Sequence, residues 1–397
     1  MQPRLLFLTE RYLPDAGGVA VSAHRIARAL AALGNQIDVL CWTRALEAGV
    51  VVQGDGNPAV FRQGRFREWE STLPHTLNLL DWLLSRHRYQ AIWGHYLNPA
   101  GFVAAFFGKQ NGIPSIASIR GNDLDREMFP LGDFARLEWT LRNANVVTGV
   151  TRALAAKAGT ISGRSDIALL HNVVDCAIFR PLDDDLTALR KTLGIGDQEA
   201  VLGFSGELRE KKGLQPLLEA LRQVQARRPA CLLVIGEVRP SEMQRLLMLL
   251  DADALSERRI VVTGQLSDPA DVNRHLQLCD VYLQPSLWDG MPNALLEAMA
   301  AGCACIVSDA GGIPEMLAPG VEGILLPRWQ LHRLGEAVLA WLDSDPATQR
   351  RIRQAARDRM LASFHAEGER RALQAVLDRI SSSYSFTSDA PARSQLK

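Results

Sequence analysis

Residues 285–309 read PSLWDGMPNALLEAMAAGCACIVSD, and they decide the layer structure of the chain. The apolar run VYLQPS (281–286) leads in as a strand, LWDG is a loop, and Pro292 followed by Asn293 opens a helix, NALLEAMAAG. Gly302 ends that helix and CACIVSD begins another strand. Strand, crossover helix and strand in this order make a parallel α/β layer. A helix starting at Asn293 leaves the amides of Asn293, Ala294 and Leu295 without intrahelical partners, and together with the helix dipole these favour an anion. The helix start therefore reads as a phosphate seat. Asp289 precedes it and Glu297 follows eight residues later, so two carboxylates can accept hydrogen bonds from ligand hydroxyls, one from a transferred sugar and the other from a ribose. A solvated loop Asp and a Glu that complements the dipole would satisfy the same spacing.

Working outward, VLGFSG, CLLVIG and IVVTGQ place three more strands before this segment. An earlier series alternates in the same way: RLLFLT, the helical VAVSAHRIARALAALG, then QIDVLCW, AIWGHY, SIASIRG, VVTGV and IALLHN. Between the two series, FRPLDDD (179–185) is rich in proline and acid and has no periodicity, which marks a linker. The expected domains are 1–180 and 181–365, each a Rossmann-like parallel sheet with helices. Two such units facing each other put a ligand in the crevice at the carboxyl ends of both sheets. From Gln330 to Ile380 the pattern is helical, and 381–397 is Ser-rich and unpatterned, a frayed tail.

Composition narrows the function classes. The 397 residues carry 44 Lys+Arg and 44 Asp+Glu, so the whole molecule lacks the basic excess that nucleic-acid binding requires. Residues 1–180 hold 19 Lys+Arg against 15 Asp+Glu, and 181–397 hold 25 against 29, an asymmetry of +4 and −4. That permits an anionic acceptor or a membrane surface on the first half. The six cysteines have no paired C-x-x-C spacing and most lie in apolar runs, as expected in a reducing, cytoplasmic compartment. MQPRLLFLTER is read as a buried strand and not a signal peptide, because Glu10 and Arg11 cut the apolar run short. LPHTLNLLDWLLSRHR fits a crossover helix packed on the sheet, or an amphipathic helix touching the inner membrane face.

Three other segments bring candidate chemistry. FSGELREKKGLQPLLEAL is a strand, a charged turn and a helix, ELREKKG containing Glu207, Arg209, Lys211 and Lys212. ERYLPDAGGVAVSAHR carries Gly17 and Gly18 between strand and helix, without the G-x-G-x-x-G spacing of a dinucleotide site. SIASIRGNDLD ends a strand with Arg120, Gly121, Asn122 and Asp123. His95 ends the strand in AIWGHY, where it can either face the cleft or, as a lone His more often does, serve as a satisfied structural residue.

The pattern Asp289-x7-Glu297 in its context resembles the donor-site signature of the retaining glycosyltransferase family 4, and the resemblance extends from Arg4 to about Ile380. It implies the GT-B fold, with the 366–380 helix crossing back to the first domain. It also implies transfer of a sugar from a nucleoside-diphosphate sugar to a sugar, lipid-linked or other hydroxyl acceptor. By the same resemblance the donor site comprises Gly18, Arg209, Lys212, Asp289, Gly290, Met291, Asn293, Ala294, Leu295 and Glu297. Arg120, Arg209, Lys212 and Asp289 are the catalytic candidates, and Gly17, His95, Asn122 and Asp123 border the acceptor. Three positions depart from the family: Asp289 stands for the usual Glu, Glu207 for the Arg that meets the diphosphate, and Arg120 for a His. Arg209 or Lys211 is expected to supply the missing charge, Arg209 being favoured because guanidinium grips phosphate with two prongs. LLHNVVDCAIFRP matches the family's strand end before the linker, with Asn172, Val174, Asp175 and Phe179 as hinge structure. No cofactor and no obligatory metal is expected. An epimerase or hydrolase on the same fold, and a non-catalytic sugar-nucleotide-binding subunit, are the rival readings.

Overall fold

The structure is a computed structural model that describes residues 2–15, 17–125, 128–242, 244 and 259–383. In the first half, the strands are β1 (Arg4–Thr9), β2 (Gln36–Thr43), β3 (Val51–Gly54), β4 (Ala59–Gly64), β5 (Ala91–His95), β6 (Ser115–Ile119), β7 (Val146–Gly149) and β8 (Ala168–Leu169). They form one sheet in the order β3-β4-β2-β1-β5-β6-β7-β8, parallel throughout except for the antiparallel β3–β4 edge. In the second half, β9 (Ala200–Ser205), β10 (Ala230–Ile235), β11 (Ile260–Val262), β12 (Val281–Gln284), β13 (Cys305–Ser308) and β14 (Ile324–Leu326) form a parallel sheet in the order β11-β10-β9-β12-β13-β14. β1 and β9 are buried along nearly their whole length, as strands covered on both faces must be.

Each sheet reverses its winding once, between β1 and β5 in the first and between β9 and β12 in the second. Loops leaving the carboxyl ends on either side of such a reversal diverge to opposite faces and leave a crevice. Into that crevice run the Glu10–Gly18 loop after β1, the charged turn after β9 and the Pro285–Pro292 loop after β12.

The crossover helices are built by apolar spacing. In Gly18–Ala32 the buried stripe is Ala20, Ala23, Ile26, Ala27 and Leu30. Trp69–Arg86 buries Thr72, Thr76, Leu80 and Leu83 against the first sheet, while Arg86 stacks over the exposed Trp82 ring at 4.3 Å. The long C-terminal stretch is three helices, Leu334–Leu342, Pro346–Ser363 and Ala366–Ser383. Asp345 caps the middle one by accepting from the amides of Ala347 and Thr348. The last returns to the first domain, where Leu373, Val376 and Ile380 pack with Leu5, Ile26 and Leu30. Its buried Glu369 pairs with Arg25 at 2.9 Å. The expected tail, 381–397, differs at its start: the helix continues through Ser383, and 384–397 lie outside the described residues. Among the described residues no helix is long and apolar enough to cross a membrane.

Candidate active site

The two domains meet through backbone. A Cβ on Gly121 would lie 2.9 Å from Cα of Gly290, and one on Gly290 would lie 2.3 Å from the carbonyl oxygen of Arg120, so both positions need glycine for the domains to approach this closely. Around this contact Asn172 gathers the junction: its Nδ2 donates to the Met291 carbonyl at 2.7 Å, and its Oδ1 accepts from Arg25 at 3.2 Å and from Arg120. Glu315 of the second domain accepts from the amides of Arg152 and Ala153, at the start of a first-domain helix.

On the second-domain wall, the Asn293–Ala300 helix begins after Pro292 with no side-chain cap. The seat is one amide smaller than expected from the sequence, since Leu295 donates to the Pro292 carbonyl at 3.2 Å in a tight first turn. Asn293 and Ala294 remain, their amides without a partner among the described residues. Asn293 Oδ1 is buried and unpartnered, and its Nδ2 lies 3.9 Å from where a Cβ on Gly18 would stand. The first glycine loop and the phosphate seat thus face each other across the crevice.

Lys212 follows a short turn, Glu210–Lys212, and Gly213 ends it at φ +85, where a Cβ would stand 2.1 Å from the Pro285 carbonyl oxygen. That contact presses the charged turn onto the loop carrying Asp289. Lys212 forms an ion pair with Asp289, both side chains largely buried. The Asp289 carboxylate also accepts from the Gly290 amide at 3.0 Å. Arg209 approaches Glu207 at 3.5 Å, while Glu207 takes two hydrogen bonds from Arg239 at 2.8 and 3.1 Å. Burial alone would raise the Glu207 carboxyl; the Arg239 hydrogen bond and the charges of Arg209, Arg239 and Arg11 bring it below the usual carboxylate range. Two guanidinium groups thus surround the acid that stands where the family has an arginine, and the cluster keeps one net positive charge. Arg239 went unnoticed in the sequence because it sits 32 residues beyond Glu207, on the loop after β10.

Glu297 contrasts with Asp289. Its carboxylate makes no hydrogen bond among the described residues, and desolvation pushes its pKa up to about 7 against the lowering pull of Arg25. Glu297 is half-buried, and its unpaired carboxylate beside the start of this helix is free to accept hydroxyl hydrogen bonds.

The first-domain wall corrects several expectations. His95 does not face the cleft: it is wholly buried, its Nε2 lies 2.9 Å from Ser22 Oγ, and its ring packs against Phe7. Burial, with Arg120 and Arg25 nearby, holds it neutral. Asp123 is consumed internally, accepting from the amides of Leu97, Arg120 and Gly121, and burial raises its pKa to about 6. Arg120 is nearly enclosed and donates to Leu170 O and Asn172; burial and Arg25 lower its pKa to about 10. Its guanidinium holds the domain junction and is not presented to a ligand. Asn122 accepts from Lys211 across the crevice at 3.3 Å, and Gly17, at φ +113, has open space beside it. Among the described residues no group of three His, Cys, Asp or Glu side chains is placed to hold a metal ion.

Residues 185–359 match the family described as glycosyl transferases group 1, and residues 17–172 match the glycosyl transferase 4-like domain. The chain belongs to the group 1 glycosyltransferases. Its two facing parallel-sheet domains are the GT-B fold, and the family makes it a transferase. TuaC of Bacillus subtilis (strain 168), named as a teichuronic acid biosynthesis glycosyltransferase, is 25% identical over 248 residues, 62% of this chain and 60% of TuaC. Among solved structures, sucrose-phosphate synthase from Thermosynechococcus elongatus superposes with a TM-score of 0.80 at 19% identity, covering 96% of this chain and 100% of that one. HepE of Anabaena, solved in complex with UDP-glucose, superposes with a TM-score of 0.75 at 17% identity, covering 94% and 99%. This group 1 glycosyltransferase therefore has relatives in polysaccharide synthesis, and its two family matches divide where the FRPLDDD linker does.

Proposed function

We propose that this glycosyltransferase transfers a sugar, with retention at the anomeric carbon, from a nucleoside-diphosphate sugar to a hydroxyl acceptor in polysaccharide or glycoconjugate synthesis. One observation carries the reading: Lys212, the Arg209–Arg239 pair and the two open amides of the Asn293 helix all lie on the segments that follow β9, β10 and β12, with an unpaired Glu297 in the same helix. The cations and amides meet the diphosphate, and Glu297 accepts from a hydroxyl of the ribose. Asp289 turns to the transferred sugar once the diphosphate draws Lys212 away from it. That HepE, of the same fold, holds UDP-glucose fits this reading.

In the reaction the bond between the anomeric carbon and the phosphate oxygen breaks, its electron pair leaving with the diphosphate. The acceptor oxygen bonds to that carbon and its proton passes to a leaving phosphate oxygen. Gly18 beside Asn293 brings the acceptor wall to the face the diphosphate leaves, which supports retention. Fixed charges at the leaving group are usually the largest catalytic contribution in such chemistry. The reading assigns that role to protein cations, with no obligatory metal or other cofactor, so turnover should survive EDTA. All six cysteines are unpaired, consistent with a cytoplasmic site of action.

The test is hydrolysis of a panel of UDP-, GDP-, ADP- and dTDP-sugars without acceptor, for the wild type and for the Glu297→Ala and Lys212→Ala variants. Slow release of one sugar, lost in both variants and with the anomeric configuration of the donor kept, is the expected result. No binding and no release from any donor would overturn it.

A further inference from the structure

A cavity of about 470 Å³ opens in the first domain, at the carboxyl ends of β1, β2 and β4. Its walls come from three separate stretches of chain: Glu10, Arg11 and Asp15 after β1, Trp42 and Arg44 at the end of β2, and Arg65 after β4. Neither the donor chemistry nor the family motifs use any of these side chains.

Two acids line the cavity against three arginines, so it keeps one net positive charge even with both acids ionised. Asp15 turns back on its own loop, accepting from the Tyr12 amide at 3.4 Å. Glu10 is raised above the usual carboxylate range by burial, with Arg65 and Arg11 pulling the other way. The Arg44 and Arg65 guanidinium groups make no hydrogen bond and no ion pair among the described residues. The Arg65 backbone is fixed, its amide donating to Thr43 O at 2.9 Å. Trp42 is also fixed, its indole N–H donating to Thr76 at 2.9 Å and its ring set edge-on against Trp69. Trp42 is thus a buried backing for the cavity, and the forked cations in front of it suit a small ligand with an anionic end.

The position is right for an acceptor. The Glu10–Gly18 loop that floors the cavity runs on to Gly18, which faces Asn293 of the phosphate seat. Arg11 acts electrostatically on Glu207 of the diphosphate loop across the crevice. The cavity therefore opens on the same crevice as the donor, on the opposite wall.

We infer that this cavity is the acceptor subsite and that it selects a sugar-like acceptor bearing a carboxylate or a phosphate, gripped by Arg44 and Arg65. The inference rests on the transferase reading, since only a transferase needs an acceptor.

The experiment is a calorimetric titration of the full chain, without donor, with glucuronate, glucose 6-phosphate and glucose, at low and at raised salt. One anion should bind at least about ten-fold more tightly than glucose, weaken with salt, and weaken a further ten-fold or so in Arg44→Ala and in Arg65→Ala, as loss of a charge-assisted fork predicts. Arg65→Lys should recover part of the loss, and whichever anion binds better distinguishes carboxylate from phosphate. Lys212→Ala should keep the binding, which separates this cavity from the diphosphate seat. If Arg65→Ala does not fold, Arg44→Glu, on an exposed side chain, decides alone. Equal binding of glucose and both anions, no anion binding at millimolar concentration, or anion binding that Lys212→Ala abolishes and the Arg44 variants spare would each overturn the inference. Because no donor enters the titration, its failure is distinct from failure of the transferase reading, which donor hydrolysis decides.

Discussion

The two walls of the crevice were built from equally polar sequence, yet they hold their polar groups in opposite ways. On the second-domain wall, Lys212 and Asp289 pair with each other, while Glu297 has no partner among the described residues. On the first-domain wall, His95, Arg120 and Asp123 are spent inside the protein, on Ser22, on Asn172 and Leu170, and on three backbone amides. On the proposed reading the second-domain wall keeps charge for a leaving group, whereas the first-domain wall spends its polar groups within its own domain. A polar side chain at a strand end is therefore no guide to function until its hydrogen bonds have been traced.

That contrast can be broken by substitution. The largest effect is expected at Lys212: Lys212→Ala should lower the donor turnover rate by about 10²–10³-fold, as removal of one preorganised charge stabiliser does, and should also lower the unfolding temperature, because Asp289 loses its largely buried partner. A rate unchanged in a folded variant would end the claim that this wall stores its charge for the leaving group. Next comes Asn172→Ala, which strips partners from Arg25, Arg120 and Met291 together and should cost about 3 kcal/mol in urea unfolding, because buried cations are left under-satisfied. Retained stability would mean that the junction does not depend on this hub.

The pH dependence of stability sharpens the comparison further. The Glu297 carboxyl ionises near 4.5 when unfolded and near 7 when folded, so between these values the folded state holds more proton and stability falls as pH rises. Glu297→Gln should remove that fall, making the variant more stable than the wild type above pH 7 by at most about 3 kcal/mol and indistinguishable from it below pH 4. Parallel pH profiles would show that Glu297 is hydrated after all. The smallest effect is expected at His95, where His95→Ala should lower stability by about 2 kcal/mol through a buried cavity and a lost Ser22 contact. Donor hydrolysis by the folded fraction should persist, and a collapse of turnover without loss of stability would return His95 to the catalytic wall.

How far the molecule was legible follows from the same contrast. The strand, loop and helix of 281–300 could be read because every feature lies in one continuous run: Pro292 sets the helix start, Gly302 stops it, and the two acids bracket the seat. The alternation RLLFLT, helix, QIDVLCW gave the parallel sheet for the same reason. Where geometry depends on distant segments, sequence was silent. Arg239 reaches Glu207 from another loop, Arg25 couples to Glu297 and Glu369 through the domain junction, and the arginine cavity is assembled from the ends of three strands. The β3–β4 hairpin was missed because VVQGDGNPAVFRQG mixes turn formers with β formers too evenly for either period to stand out. Leu295 was over-read because a helix's first turn can tighten and use an amide that ideal geometry leaves free.

The return of the last helix also bears on how the protein is made. Leu5, Ile26 and Leu30 pack with Leu373, Val376 and Ile380, so the earliest-synthesised domain cannot complete its core until the final helix leaves the ribosome. From residue 180 to Ile380, at translation rates of roughly 5–20 residues per second, the wait is about 10–40 s. During that time the newborn first domain exposes the apolar groove that the helix later fills, and is a natural client for a chaperone. Ending the chain after residue 377 would remove Ile380 from that groove and leave the first domain's core incomplete.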